Sequence, residues 1–233
     1  MSALRLPFRP TLVKLVRGYL RRSGKIIVHS MPQIGRPRRL DVFDTVQTND
    51  HVRLSALELC AHEIITRNVS GSIAEVGVYQ GEFAAQMHGL FSDRKFYLFD
   101  TFDGFDSKQV TADREKYGLD HDRDFSNTSI ESVLSKMKHP NRCVVKKGLF
   151  PATADDVEDV FCFVSLDADL FDPIYDGLRW FWPRLSKGGY IFVHDYNNAR
   201  FPGAAAAISR FAEENSLPFF PLPDVWGSAV FSR

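Results

Sequence analysis

SLDADLFDPIYDGLRWFWPRLSKGGYIFVHDYNN, residues 165–198, is the stretch from which the fold can be read. FCFVSL ahead of Asp167 reads as a short buried strand, and YIFV ahead of His194 as another. Between them, Pro173 near a helix start and a Lys187-Gly188-Gly189 stop bracket an apolar-periodic helix with Ile174, Leu178, Phe181 and Trp182. A strand–helix–strand unit crosses over right-handed, so its two strands run parallel and as neighbours. Their carboxyl ends then bring Asp167/Asp169 and His194/Asp195 to the rim where open α/β sheets bind ligands. A lone strand-end Asp commonly caps a turn. Two clusters on successive strands point instead to a bound cation or a shared proton, because crowded carboxylates repel.

Upstream, SIAEVGVYQGEFAAQM at 72–87 repeats the theme. Ile73–Val78 reads as a buried strand, Gly77 and Gly81 punctuate a tight turn, and a helix opens at Glu82. Such a turn lets a ligand approach the backbone and meet a helix N-terminus. The spacing is Glu-x-Gly-x-x-x-Gly, which lacks the three glycines of the dinucleotide fingerprint. A further strand, KFYLFD, ends in Asp100, where an acid can accept hydrogen bonds from two ribose hydroxyls. Glycine turn and acid together suit an adenosine-type ligand.

In order along the chain, EVGVYQG, FYLFDTFDGF, FSNTSIESV, VVKKGLF, LDADLFDPIYDGL and LSKGGYIFVHDY resemble the TylF/MycF-type macrocin O-methyltransferases. The resemblance runs from about residue 41 to the C-terminus and includes the closing helix FPGAAAAISRF. It implies the Rossmann-like class I methyltransferase fold, an α/β architecture with a seven-stranded, mainly parallel sheet, a C-terminal antiparallel hairpin and helices on both faces. It also implies S-adenosylmethionine as methyl donor, often Mg²⁺, and acceptor hydroxyls on sugars or glycosides. Residue by residue, Glu75, Gly77 and Gly81 match the motif around the methionine part of the cofactor. Asp100 matches the ribose-binding acid, and Ser126 and Gly148 fall in segments lining the adenine side. Asp167 and Asp195 align with metal-binding positions, and Asp169 with a carboxylate that serves some members as general base.

His194 departs from the family pattern, which has Asp there. Mg²⁺ prefers hard oxygen ligands, whereas imidazole suits softer divalent ions. His194 is therefore a candidate ligand to a softer ion, a candidate base, since its ordinary pKa is about 6.5, or a hydrogen-bond partner of its neighbours. The expected reaction is a direct displacement: a cation on Asp167, His194 and Asp195 polarises the acceptor hydroxyl, and Asp169 or His194 takes its proton. Two other classes use parts of this equipment. A nicotinamide-dependent dehydrogenase would use the glycine turn and Asp100 but leaves the carboxylate pairs unexplained. A non-catalytic cofactor-binding module would work through its basic N-terminal arm.

That arm hides behind a net charge of zero. Residues 1–40 hold ten Lys/Arg and no Asp/Glu, leaving 29 − 10 = 19 basic against 29 acidic residues beyond them. TLVKLVRGYLRRSGK within it has apolar residues at near-helical spacing with cations opposite. We expect an arm at 1–40 and one methyltransferase domain at 41–233, the arm docking on an acidic surface of this or a second copy. Weak contact with an anionic membrane is a second use, and nucleic acid is disfavoured. Cys60, Cys143 and Cys162 lack metal spacing and read as reduced core thiols of a cytoplasmic protein. No apolar run is long enough to span a membrane. Residues 101–125 read as a long polar loop able to cover the acceptor, with His121 beside its acids. Trp180, Phe181 and Trp182 read as packing residues, and Trp226 as a candidate stacking surface.

Overall fold

In the computed structural model, residues 50–233 are described; the basic arm and the partner roles expected of it lie outside them. The elements run α1 His51–Thr66, β1 Ser72–Val76, α2 Glu82–Leu90, β2 Phe96–Asp100, α3 Ser107–Tyr117, α4 Ile130–Ser135, β3 Cys143–Lys147, β4 Phe161–Leu166, α5 Phe171–Phe181, β5 Leu185–Val193, α6 Pro202–Asn215, β6 Phe220–Leu222 and β7 Ser228–Ser232. The strands form a seven-stranded sheet in the order β3-β2-β1-β4-β5-β7-β6. All pairs are parallel except β5–β7 and β6–β7, which make the closing antiparallel hairpin.

Every residue of β1 and β4 is buried, as expected of central strands covered on both faces. Alternation along the strands divides the core in two. Ala74, Val164 and Val193 face the layer holding Ile174, Leu178, Ala207 and Phe211 of α5 and α6. Ile73, Phe163 and Phe192 face the layer holding Leu57, Ile64, Ala84 and Met87 of α1 and α2. The chain steps outward from β1 to β2 to β3, then returns to lay β4 on the other side of β1. That reversal opens a crevice at the carboxyl ends of β1 and β4.

The structure corrects two local expectations. Lys187-Gly188-Gly189 does not stop the helix but lies inside β5. α5 ends at Phe181, and a 3₁₀ turn containing Pro183 leads straight into the strand, because proline cannot continue the helix. The glycines instead absorb a bulge: β4 advances from Phe161 to Phe163 while β5 advances from Leu185 to Tyr190. A side chain on Gly189 would sit 2.8 Å from the Cys162 carbonyl oxygen. Second, the polar segment after β2 contains a helix, α3. Its N-terminus is capped by Asp106, which accepts from Lys108 N and Gln109 N at 3.0 and 3.1 Å, and it ends on left-handed Gly118.

Trp180, Phe181 and Trp182 are packing residues, as expected: Phe181 is buried, Trp180 meets Phe99 and Phe150 edge-on, and Trp182 meets Phe211 and Phe231. Cys143 and Cys162 fall in strands and Cys60 in α1, all as free thiols. Burial pushes the Cys60 thiol up to about 12 and the other two to about 11. Among the described residues, no helix is long and apolar enough to cross a membrane.

Candidate active site

The backbone brings β1 and β4 to within a glycine's width of each other. Gly77 has φ +83°, its N–H donates to Phe99 O at 3.0 Å, and a Cβ there would lie 2.0 Å from Asp167 O. Any side chain at 77 would drive the two strand ends apart. The Asp167 N–H completes the junction by donating to Val76 O at 2.8 Å. Beyond it the chain turns sharply, with Leu170 N bonded to Ala168 O and Asp169 at φ +61°. Asp195, at the end of β5, is also left-handed at φ +62°. Non-glycine residues held in that region need support from their surroundings.

Asp167 is gripped from two sides. Its Oδ1 lies 3.0 Å from His194 Nδ1, and its Oδ2 accepts from Arg53 Nη1 at 2.9 Å. The same His194 Nδ1 lies 3.1 Å from Asp195 Oδ2, and Asp195 Oδ1 accepts from Asn198 Nδ2 at 2.7 Å. Arg53 comes from the first turn of α1, stacks 3.8 Å over the Phe83 ring and donates to Ser165 Oγ. Sequence reading missed Arg53 and Asn198. A signal existed for Arg53: it occupies the buried stripe of α1 with Leu57, Ala61 and Ile64, where an arginine is out of place.

Burial and competing charges set the protonation states. Burial would raise the Asp167 pKa, but His194 and Arg53 outweigh it and hold the carboxylate well below its ordinary range. Burial and Arg53 oppose charge on His194, yet Asp167 and Asp195 prevail and raise it to about 9. Asp169 goes the other way. Burial, then Asp195 and Asp167, push it well above the carboxylate range, and it shares a hydrogen bond with Asp195. Glu75 is raised chiefly by burial and by Asp167, against the pull of Arg53, and its Oε2 is buried without a partner.

These groups line a cavity of about 580 Å³. Of the residues singled out in the sequence, Glu75, Gly77, Asp100 and Gly148 stand on its wall together with Asp167, Asp169, His194 and Asp195. Gly81 stands back from it as the left-handed N-cap of α2. Ser126 is also off the wall; its N–H and hydroxyl both donate to Asp124 Oδ1. Asp100 accepts from Val78 N and Tyr79 N through Oδ2, at 2.7 and 2.8 Å, and from Phe102 N through Oδ1. It therefore shapes the glycine turn while facing the cavity. His121 stacks on Phe125 and lies 4.7 Å from Phe201. Trp226 is on the wall and 45% exposed.

The site fits both groups that the sequence implies. The Gly77 approach and the orphaned Glu75 oxygen make a cradle that a Cβ would fill. Asp167, His194 and Asp195 each offer a ligand atom, all within 4.8 Å of one another. Two carboxylates and one imidazole suit a divalent ion of borderline softness better than Mg²⁺.

A family model described as Macrocin-O-methyltransferase (TylF) matches residues 40–233. The chain is 26% identical to the demethyldecarbamoylnovobiocin O-methyltransferase of Streptomyces niveus, over 62% of this chain and 60% of that enzyme, so it spans less than two thirds of that relative. It is 25% identical to the 8-demethyl-8-(2,3-dimethoxy-alpha-L-rhamnosyl)-tetracenomycin-C 4'-O-methyltransferase of Streptomyces olivaceus, over 78% of this chain and 72% of that one. Among solved structures, the O-methyltransferase NovP superposes with a TM-score of 0.64 at 20% identity, covering 78% of this chain and 80% of that one. That last likeness is one of fold.

Proposed function

Since the chain belongs to the macrocin O-methyltransferase family, whose members are S-adenosylmethionine-dependent class I methyltransferases, we propose that it methylates a hydroxyl of a sugar or glycoside. The observation that carries the reading is the pair of differently tuned carboxylates at the β1/β4 crevice. Asp167 is held ionised, while Asp169 is held with raised proton affinity. A carboxyl with a raised pKa is the better base near neutral pH. Asp169 acts in its ionised form: it receives the hydroxyl proton, and the resulting carboxylic acid is stabilised by donating a hydrogen bond to Asp195. His194 is charged and committed to two carboxylates, so it holds position rather than accepting the proton. The name of the Streptomyces olivaceus relative puts its methyl on a rhamnosyl group, which supports the acceptor class.

S-adenosylmethionine, when bound, supplies an electrophilic methyl on a positive sulfur. Asp100 would hold the cofactor ribose, Glu75 and Gly77 its methionine part, and Gly148 its adenine side. A divalent ion would be held by Asp167, Asp195 and the imidazole of His194, which would give up its proton on binding it, and would supply Lewis acidity that lowers the hydroxyl pKa. The walls contribute by fixing acceptor and donor in near-attack geometry.

Calorimetry with S-adenosylhomocysteine tests the reading. We expect stoichiometric binding and no heat with NAD; NAD binding without S-adenosylhomocysteine binding would turn the assignment to a dehydrogenase. Asp169→Asn should keep S-adenosylhomocysteine affinity within about twofold while methyl transfer to sugar acceptors falls roughly 100-fold, the lower range for loss of a general base.

A further inference from the structure

Asp113 is the one residue that α3 buries, and it is 2% exposed. A carboxylate is an odd choice for the only buried position of a helix, so its contacts matter. Both its oxygens accept from the Phe171 N–H, Oδ1 at 3.3 Å and Oδ2 at 3.1 Å. Phe171 opens α5, whose N-cap residue is Leu170 and offers no side-chain oxygen. Asp113 thus caps α5 from 58 positions away in the chain. A second, independent contact confirms that the approach is built in. A Cβ on Gly203, in the first turn of α6, would stand 2.0 Å from Asp113 Oδ2 and 3.1 Å from Phe171 N. Only a glycine leaves room for the carboxylate between α5 and α6.

The rest of α3 is laid against the same spot. Tyr117 stacks on Phe171 with ring centroids 4.9 Å apart, and the Lys116 ammonium lies 5.3 Å from the Phe171 ring. Just beyond α3, Leu119 joins Leu170 and Phe201 in a small apolar cluster separate from the two main layers. The turn between β4 and α5, which carries Asp169 at φ +61°, is therefore pinned at two ends. The Asp167 N–H holds one end to β1, and the Phe171 N–H holds the other to Asp113.

We propose that Asp113 is a positioning residue, the clamp by which α3 fixes the start of α5 and so sets the Asp167–Asp169 turn. It touches neither the cavity nor the reacting groups; it acts through the backbone of the turn. The inference takes from the proposed function only that this turn carries the working carboxylates, and its test needs neither cofactor nor acceptor.

The test uses the full chain and two readouts: amide hydrogen exchange of peptides covering 101–128 and 165–175, and the ring resonances of His194, which report Asp167. In Asp113→Ala we expect exchange at Phe171 at least tenfold faster, loss of protection in 101–128, and a displaced His194 signal. Asp113→Asn keeps an oxygen for the Phe171 N–H and should restore all three. Gly203→Ala leaves Asp113 present but pushes a methyl into its place, and should reproduce the Ala phenotype. Unmoved His194 resonances and wild-type exchange at 165–175 in both Asp113→Ala and Gly203→Ala would overturn the proposal, even if both variants melt earlier. If S-adenosylhomocysteine fails to bind the wild type, the functional reading falls while these readouts still decide the clamp.

Discussion

Replacing Arg53 by Met leaves Asp167 in a half-closed site with one cationic partner in place of two. Breaking a buried ion pair from one side costs about 3–5 kcal/mol, because the remaining charge loses compensation without regaining water. Asp167 keeps His194 and is 23% exposed in its side chain, so we expect about 3 kcal/mol, measured by urea unfolding. Arg53→Lys should recover less than half, since an ammonium cannot both bridge Asp167 and Ser165 and stack flat on Phe83. Asp100 is tested by Asp100→Ala. Three backbone N–H groups and the proposed ribose contact lose their acceptor, so S-adenosylhomocysteine affinity should fall by about 1.5–3 kcal/mol; unchanged affinity removes Asp100 from the ribose role. Asp167 and His194 were legible because each follows directly on a buried apolar run that reads as a strand, and Asp169 because it lies two residues beyond Asp167. Arg53 was not, because nothing in α1 tells an arginine reaching inward from one reaching out until β4 is beside it. Ser126 shows the reverse: its motif resembles a cofactor segment, but its own hydroxyl is spent on Asp124.

At the scale of elements, β1, β2, β4 and α2 could be read because burial on both faces writes continuous apolar runs and glycine turns mark their ends. α3 could not, because it buries one residue and that residue is Asp113, so no apolar period exists to be seen. Its caps, Asp106 and Gly118, were the available signal. β5 was read short because its glycines serve a bulge that only the pairing with β4 reveals. The α3 clamp carries a pH signature. Burial, with Asp172 of α5 adding to it and the Phe171 N–H and Lys116 opposing, raises Asp113 from 3.8 to about 6. Gly203 of α6 faces it without charge. The folded state therefore binds this proton more tightly than the unfolded chain. The contribution to stability is full below pH 4 and is lost as pH rises toward 6. Asp113→Asn carries no such proton, so its melting temperature should gain on the wild type between pH 4 and 7. A constant difference across that range would show that Asp113 does not titrate in the fold.

For the whole molecule, the crevice is both the proposed working site and, among the described residues, a place where buried polar atoms lack partners. Glu75 Oε2, Arg53 Nε and Asp224 Oδ1 are buried there or beside it without partners, and four carboxylates crowd one rim. A ligand that binds the folded state alone stabilises it by RT ln(1 + [L]/Kd), about 2.7 kcal/mol at 100 times Kd. For a domain near 200 residues that is a rise in melting temperature of roughly 5–10 °C. S-adenosylhomocysteine should produce it in the wild type and less than about half of it in Asp100→Ala at the same concentration. The cation can be read in the same way. Mn²⁺ should raise the melting temperature more than Mg²⁺ does, because His194 contributes a nitrogen where the family has an oxygen. Asp195→Asn should abolish both shifts by removing an anionic ligand. His194→Asp supplies the oxygen-only set, so the order should invert, with Mg²⁺ now matching or exceeding Mn²⁺. If chelator-treated protein and metal-supplemented protein melt together and methylate equally fast, no ion works at this rim. Arg53 and the charged His194 are then the cations that hold Asp167, and the transfer rests on Asp169.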